Sequence, residues 1–382
     1  MLTHCPIWRL AFLAVVLLAG TCYLLFPTTR SWSLQLPSAR TEVASEGTYN
    51  ATLGFGAIMA LTDDLPSWRT QGLRLAATHL GLRVQTPLQA NLTDEDALQY
   101  LEGHDLEDSL GSVKASMNYL SLLHQFLDTG VETALLIEDD VDFGINIKDQ
   151  LDNLSKAMWQ GVEHAHAERT GSGRRALRRQ ALNGTSVWPD TIADPYRKET
   201  WDVLWIGHSG VEFANGMQTR AYLDPHALPW TRLTSTFNNY YDQVRSKDQS
   251  EGSQPQQIFH GATSLATYAW AITRSHAQWL LDDLRSARAQ RFDFAMHVHC
   301  KGGKQRCAIP VPELMHHHKA IGEVDIGSQG NGSVTRKDLD WWKDVHKYTY
   351  DIEWSARCNA AGVGEKLVEG WQCLPSKYDD VV

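Results

Sequence analysis

Segments with strand periodicity and segments with helix periodicity alternate along most of this 382-residue chain. Short apolar runs are followed by stretches whose apolar residues recur every three or four positions. The strands are predicted at 54–61, 82–86, 134–137, 201–207 and 267–273, and the helices at 67–80, 112–127 and 274–288. Such alternation is typical of α/β proteins with a mostly parallel sheet, in which ligands bind beyond the carboxyl ends of the strands.

The termini of the helix at 112–127 can also be predicted. Ser112 is a residue type that caps helix N-termini, and Gly130 is suited to the left-handed conformation that ends many helices. This helix leads directly into the strand at 134–137.

An uncharged apolar run occupies residues 10–26, close to the ~20 residues that a bilayer-spanning helix needs. Its length favours an uncleaved signal anchor, whereas the small residues Ala19 and Gly20 would suit a cleaved signal peptide. We expect an anchor, with residues 1–9 as a cytoplasmic tail. The Ser-, Thr- and Pro-rich residues 27–52 are then a stem.

Glycosylation sequons and cysteines favour the secretory lumen for the rest of the chain. Sequons begin at Asn50, Asn91, Asn153, Asn183 and Asn331. Four cysteines lie in the body, an even number that suits two disulfides in an oxidising compartment. We expect Cys300 to pair with Cys307 and Cys358 with Cys373; a zinc site is the alternative, although neither spacing is that of a zinc knuckle. The expected location is the Golgi or endoplasmic reticulum membrane, as a single-pass type II protein.

Net charge and composition exclude one class of partner and define the remaining segments. The formal net charge is −10 and the basic run at 174–179 is short, so we expect no nucleic-acid partner. Residues 160–200 contain Gly, Pro, this basic run and a sequon, which indicates a surface insertion. Residues 336–382 are rich in tryptophan and are predicted to form a packed C-terminal extension.

The run ETALLIEDDVDFG, residues 132–144, ends an apolar strand with four acids. In an extended strand, Glu138, Asp140 and Asp142 share one face, whereas Asp139 faces the other way. Converging carboxylates repel each other unless a cation lies between them, and oxygen ligands suit Mn²⁺ or Mg²⁺. A solvated acidic turn and a calcium-stabilised loop are the alternatives.

Three blocks of sequence, at 110–143, 201–210 and 267–281, resemble glycosyltransferase family 25 in their order and content. That family includes bacterial lipopolysaccharide galactosyltransferases and collagen galactosyltransferases, and the similarity is greatest to its fungal members. The resemblance implies a GT-A fold, a nucleotide-binding α/β/α sandwich, over residues 53–335. It also implies inverting transfer of a hexose, most often galactose, from a UDP-sugar to a hydroxyl of a glycan or glycoprotein.

The resemblance further implies roles for particular residues. Glu138 and Asp140 match the metal-binding acidic motif, which Asp142 extends, and Asp139 is available for the nucleotide ribose. Asp293 matches the acidic position expected of a catalytic base. His208 follows a strand expected near the metal, where it would touch phosphate or metal or serve as a structural histidine. One of His316, His317 and His318 is a candidate metal ligand.

Two departures from the family pattern bear on activity. Ser116 stands where family members usually have His, and the Arg-rich segment that follows the first strand is reduced to Arg69 and Arg74. These two arginines are the candidates for contact with the nucleotide phosphates. The alternatives to an enzyme are a catalytically inactive lumenal module that binds a glycan or protein, and a calcium-bound adhesion domain.

Overall fold

The structure is a computed structural model, and its described residues belong to one compact unit that spans Ala44–Val382. The described residues are 47–62, 67–102, 109–170, 194–208, 210–212, 218–227, 256–284, 291–318, 349, 352, 354–361, 366–368 and 371–372. The predicted tail, anchor and stem at 1–9, 10–26 and 27–52 lie outside these residues, apart from 47–52. Within the described part of the chain, no helix is both long and apolar enough to cross a bilayer.

The described elements include both helices and strands, but they alternate only in part, because no described α-helix lies between Val203 and Thr273. The helices are α1 (Trp68–His79), α2 (Asp94–Leu101), α3 (Leu110–Thr129), α4 (Ile147–Thr170), α5 (Arg274–Leu284), α6 (Phe292–Lys301) and α7 (Ala356–Ala361). The strands are β1 (Ala57–Leu61), β2 (Val84–Gln85), β3 (Thr133–Glu138), β4 (Val141–Phe143), β5 (Val203–Gly207), β6 (Val211–Glu212), β7 (Gln218–Tyr222), β8 (Gln256–His260), β9 (Thr263–Ser264), β10 (Ala269–Thr273), β11 (Cys307–Val311), β12 (Met315–His317), β13 (Lys366–Val368) and β14 (Trp371–Gln372).

A central sheet of eight strands has the order β2-β1-β3-β10-β5-β11-β8-β7. β1 is parallel to β2 and β3, and β11 is parallel to β5, whereas β10 and β8 run antiparallel to their neighbours. The fold is therefore mixed α/β with a parallel-rich sheet, which confirms the α/β part of the prediction. Strands β1, β3, β5 and β11 end at the same edge of the sheet, and β10 begins there.

Two hydrophobic clusters cover the two faces of this sheet. Alternate residues of β3 divide between them: Leu136 belongs to the cluster that contains residues of α3, α5 and α6, whereas Leu135 and Ile137 belong to the cluster with α1 and α4. Helices therefore pack on both faces. Because both faces are covered, β3 is a continuous apolar run rather than an alternating one.

The observed termini agree with the prediction at some points and differ at others. Gly130 ends α3 in the left-handed conformation, as predicted. The predicted cap Ser112 is wrong, because the helix starts earlier and Ser109 accepts the hydrogen bond from the Ser112 backbone N–H at 3.2 Å. The predicted insertion at 160–200 is wrong at both ends: α4 continues to Thr170, and Tyr196 is buried in the core. Residues 171–193 lie outside the described residues.

The C-terminal region and the cysteines complete the fold. A disulfide joins Cys300 and Cys307, which confirms one predicted pair. Cys358 is also disulfide-bonded, and Cys373, its predicted partner, lies outside the described residues. Within the predicted C-terminal extension, Arg357 is fully buried, whereas Trp354 is 50% exposed.

Candidate metal centre

The acidic run lies at the carboxyl end of β3, where the strand leaves the sheet. β3 is held on one side by β1, with Leu61 opposite Glu138, and on the other by β10, with Ala269 opposite Ile137. Asp139 and Asp140 form a turn, and the chain then enters β4, which pairs with β12 outside the central sheet. The turn interrupts the strand, so the two-residue alternation does not extend from Glu138 to Asp142.

Three side chains converge beyond the end of β3: Glu138, Asp140 and His317. One ligand atom from each lies within 4.8 Å of the others. His317 Nε2 is 2.8 Å from Glu138 Oε2 and 3.4 Å from Asp140 Oδ1. Two carboxylates and an imidazole are a donor set that suits a divalent cation such as Mn²⁺. Among the described residues this is the only such group of His, Cys, Asp and Glu.

Two tyrosines hold the ligands of this cluster in place. Tyr119 of α3 donates its phenolic hydrogen to Glu138 Oε1, and Thr267 Oγ1 donates to Tyr119 at 2.9 Å. Burial and the Glu138 carboxylate hold the pKa of Tyr119 well above its usual range, so this phenol stays protonated. Tyr268 packs on the His317 ring with centroids 3.7 Å apart. The orientations of the Glu138 and His317 side chains are therefore fixed before a metal ion binds.

Arg69, in the first turn of α1, faces the acidic turn. Its Nη1 lies 3.5 Å from Asp140 Oδ2 and 3.7 Å from Asp139 Oδ1. Burial and the neighbouring Asp140 carboxylate raise the pKa of Asp139 to about 7, against the opposing effects of Thr62 and Arg69. The predicted basic residue thus lies at the site. Among the described contacts, the Arg69 side chain forms ion pairs with Asp139 and Asp140.

Arg74, the second predicted arginine, lies away from the cluster. It is exposed, and five residues along a helix place it about 140° around the axis from Arg69. Arg69 alone of the two predicted arginines contacts the acidic turn.

Asp142 does not share the cluster, so the prediction that it converges with Glu138 and Asp140 is wrong. Its carboxylate is fully buried and accepts hydrogen bonds from Thr349 Oγ1 at 2.6 Å, from Ser355 Oγ and from the Arg357 backbone N–H at 3.2 Å. Although burial acts in the opposite direction, His318, Arg357 and Ser355 together lower the pKa of Asp142. Asp142 is a buried anchor for the C-terminal segment.

His208 occupies a closed structural position, so its predicted contact with phosphate or metal is wrong. The side chain is fully buried, its Nε2 lies 2.8 Å from the Pro310 carbonyl oxygen, and its Nδ1 accepts from the Gly210 backbone N–H at 3.2 Å. Both ring nitrogens are therefore occupied. In addition, β10 separates the strand that precedes His208 from β3, which carries the acids.

The pairing of β12 with β4 distinguishes the three consecutive histidines. His317 faces Glu138 and Asp140, whereas His318 Nδ1 contacts Thr349 Oγ1 at 3.0 Å and lies 3.7 Å from Asp142 Oδ2. His316 Nε2 lies 3.8 Å from Glu313. Only His317 of the three lies in the cluster.

Asp293 lies in the first turn of α6, at the same edge of the sheet. Its carboxylate is 18% exposed, pairs with Arg291 Nη2 at 2.9 Å and accepts from the Ala266 backbone N–H at 3.4 Å. Its charge also contributes to the raised pKa of Tyr119, the residue that binds Glu138. Ser116, which departs from the family pattern, accepts from the Phe292 backbone N–H at 3.0 Å and so caps α6 just before Asp293.

Sequence reasoning missed Arg357, which lies behind the acidic turn. Its guanidinium donates to the carbonyl oxygens of Asp139, Val141 and Arg69. Burial lowers the pKa of Arg357, whereas the nearby Asp142, Asp140 and Asp139 raise it. No local pattern could have revealed it, because the residue follows the turn by more than 200 positions and only the folded chain brings them together.

Taken as a whole, these residues define a mixed α/β protein with a candidate divalent-cation site at the carboxyl edge of its sheet. No protein-family model matches the chain, and no curated protein matches it.

Proposed function

We propose that the protein is a metal-dependent glycosyltransferase with a GT-A fold, which transfers a hexose from a UDP-sugar to a hydroxyl of a glycan or glycoprotein. The observation that carries the proposal is the convergence of Glu138, Asp140 and His317 beyond a central strand of a parallel-rich α/β sheet. Ligands of such sheets bind at this edge. The resemblance to glycosyltransferase family 25 supplies the nature of the ligand, and galactose is the proposed sugar.

The charges around the acidic turn support a divalent cation. The acidic run contributes four carboxyl groups, whereas Arg69 and Arg357 contribute two guanidiniums, so acidic groups outnumber these two cations. Glu138, Asp140 and His317 would hold Mn²⁺ or Mg²⁺, which keeps coordination positions for phosphate oxygens. When bound, the ion would neutralise the negative charge that develops on a diphosphate leaving group.

The protein's own residues would position the reactants around this ion. Asp139 is proposed to face the nucleotide ribose, and Arg69, which lies at the rim of the cluster, to approach the phosphates. Asp293 is proposed to accept the proton of the acceptor hydroxyl, and its carboxylate forms an ion pair with Arg291. The anchored, lumenal orientation in the Golgi or endoplasmic reticulum remains part of the proposal.

The direct test is UDP release by the full-length protein with Mn²⁺ and a panel of UDP-sugars. We expect metal-dependent release, with UDP-galactose the preferred donor, and loss of release in Glu138→Gln and Asp140→Asn. Glu132→Gln is a matched control, because Glu132 lies six positions earlier and its carboxylate forms an exposed ion pair with Lys198. The proposal fails if no donor is turned over and UDP does not bind.

A second candidate is an inactive glycan- or protein-binding module on the same fold. The observation in its favour is that Arg69 is ion-paired with the acids themselves while Arg74 points elsewhere, so few cations among the described residues face a diphosphate. Isothermal titration separates the candidates. The enzyme binds UDP in the presence of Mn²⁺, whereas the binding module needs neither.

A further inference from the structure

We propose that Arg357 is a positioning residue for the metal cluster, because it fixes the turn from which the Asp140 carboxylate projects. With Thr349 and Ser355 it forms a unit that we call the C-terminal clamp. The inference rests on the proposed function only in requiring that Glu138, Asp140 and His317 bind a divalent cation. It does not require sugar transfer.

The Arg357 guanidinium binds the backbone on both sides of Asp140. Nη2 donates to the Asp139 carbonyl oxygen at 2.6 Å and Nε to that of Val141 at 3.0 Å. Nη1 donates to the Arg69 carbonyl oxygen at 3.1 Å, which ties the turn to α1. The side chain is completely buried. A planar guanidinium provides several donors in a fixed arrangement, which a lysine ammonium cannot reproduce.

The carbonyl group of Asp140 itself is also held. It accepts from the His318 backbone N–H at 2.8 Å, and His318 directly follows the cluster residue His317. The carbonyl oxygens of three consecutive residues, 139 to 141, are therefore all bound by parts of the chain distant in sequence. Rotation of the backbone at Asp140 would break these bonds, so the direction in which its side chain leaves the backbone is fixed.

The clamp is itself secured through Asp142. Thr349 Oγ1 and Ser355 Oγ donate to Asp142 Oδ2, and the Arg357 backbone N–H donates to Oδ1. Ser355 Oγ also accepts from the backbone N–H of Cys358, which is disulfide-bonded. Asp142, which the sequence suggested as a metal ligand, thus holds the segment that positions the carboxylate of Asp140.

Charge and geometry predict opposite effects for Arg357 on metal affinity. A guanidinium close to the cluster repels a bound cation, so by charge alone the loss of the positive charge of Arg357 would tighten metal binding. Loss of the turn's geometry would instead weaken binding, as loss of outer-shell partners typically does. Arg357→Lys keeps the positive charge but removes most of the hydrogen bonds to the turn, so it isolates the geometric effect.

The experiment measures the Mn²⁺ dissociation constant of the full-length protein, from the electron paramagnetic resonance signal of free Mn²⁺. We expect Arg357→Lys to weaken binding by about 10- to 100-fold. Arg306→Lys is the matched control and should bind as the wild type does, because Arg306 is exposed and pairs with Asp202 at the opposite edge of the sheet. Circular dichroism at the same temperature establishes that each variant is folded.

If folded Arg357→Lys binds Mn²⁺ with the wild-type dissociation constant, the inference is overturned, even if the unfolding temperature falls. A residue with a purely structural role would change stability alone. If Arg357→Lys does not fold, Ser355→Ala decides: a several-fold weaker Mn²⁺ affinity supports the clamp, and an unchanged one overturns it. Absence of Mn²⁺ binding in the wild type also overturns it. Mn²⁺ binding without UDP release would refute the proposed function and leave this inference intact.

Discussion

Glu138→Gln is expected to stabilise the metal-free protein while removing its response to metal. The Glu138 and Asp140 carboxylates lie within 4.8 Å of each other, and no Lys or Arg ion pair to Glu138 occurs among the described residues. At an effective dielectric constant near 20, their repulsion is about 3.5 kcal/mol. The substitution removes that repulsion with almost no change in side-chain volume.

The same substitution also weakens two hydrogen bonds. Tyr119 and His317 donate to a charged carboxylate in the wild type and would contact a neutral amide in the variant. Loss of charge assistance costs about 1 kcal/mol for each bond. The metal-free variant should therefore be about 1.5 kcal/mol more stable than the wild type.

Saturating metal should reverse this order. Mn²⁺ at about 100 times its dissociation constant adds about 2.7 kcal/mol to the wild type, whereas a variant that has lost the site gains nothing. Urea unfolding in EDTA and in Mn²⁺ measures all four free energies, with Glu132→Gln as the control that follows the wild type. A variant less stable than the wild type in EDTA, or stabilised equally by Mn²⁺, would refute this reasoning.

Three further outcomes follow from the described contacts. Asp142→Asn should lower the free energy of unfolding by about 3 kcal/mol, because it disrupts a buried, fully bonded carboxylate. A change below about 1 kcal/mol in urea unfolding, on the order of that of a surface substitution, would contradict this. His208→Ala should destabilise the protein by about 2 kcal/mol without altering Mn²⁺ affinity. A loss of Mn²⁺ affinity in this variant would show that His208 contributes to the metal site. Burial lowers the pKa of His276 and of His299 in the folded protein. As pH falls below about 6.5, the usual pKa of histidine, the unfolded chain therefore binds more protons than the folded one, and the free energy of unfolding should fall. His276→Gln should reduce that slope in urea unfolding between about pH 7 and about pH 5.5, and an unchanged slope would exclude His276 as a source.

The position of the acidic run could be predicted from sequence because its signal is local. An apolar stretch of strand length followed by acids predicts a buried strand near a charged edge, and β3 ends at Glu138, the first of these acids. The assignment of Asp142 failed because it assumed that the strand continues. A turn at Asp139 and Asp140 breaks the two-residue alternation, so Asp142 does not share the face of Glu138.

The remaining members of the site depend on long-range pairing. His317 is selected from three adjacent histidines by the register of β12 against β4, which joins residues more than 170 positions apart. Arg357 is an ordinary charged residue in the sequence and becomes a buried donor only when α7 packs behind the turn. Local periodicity carries no information about either arrangement, whereas α1, α3, β1, β3 and β10 follow from it directly.

We propose that Glu138, Asp140 and His317 bind a divalent cation that in turn binds a nucleotide diphosphate. Isothermal titration of the full-length protein with UDP, in Mn²⁺ and in EDTA, tests it most directly. We expect UDP to bind at one site in Mn²⁺ only, with binding lost in Glu138→Gln and retained in Glu132→Gln. Equal UDP affinity in EDTA, or unchanged UDP affinity in Glu138→Gln, would contradict the claim.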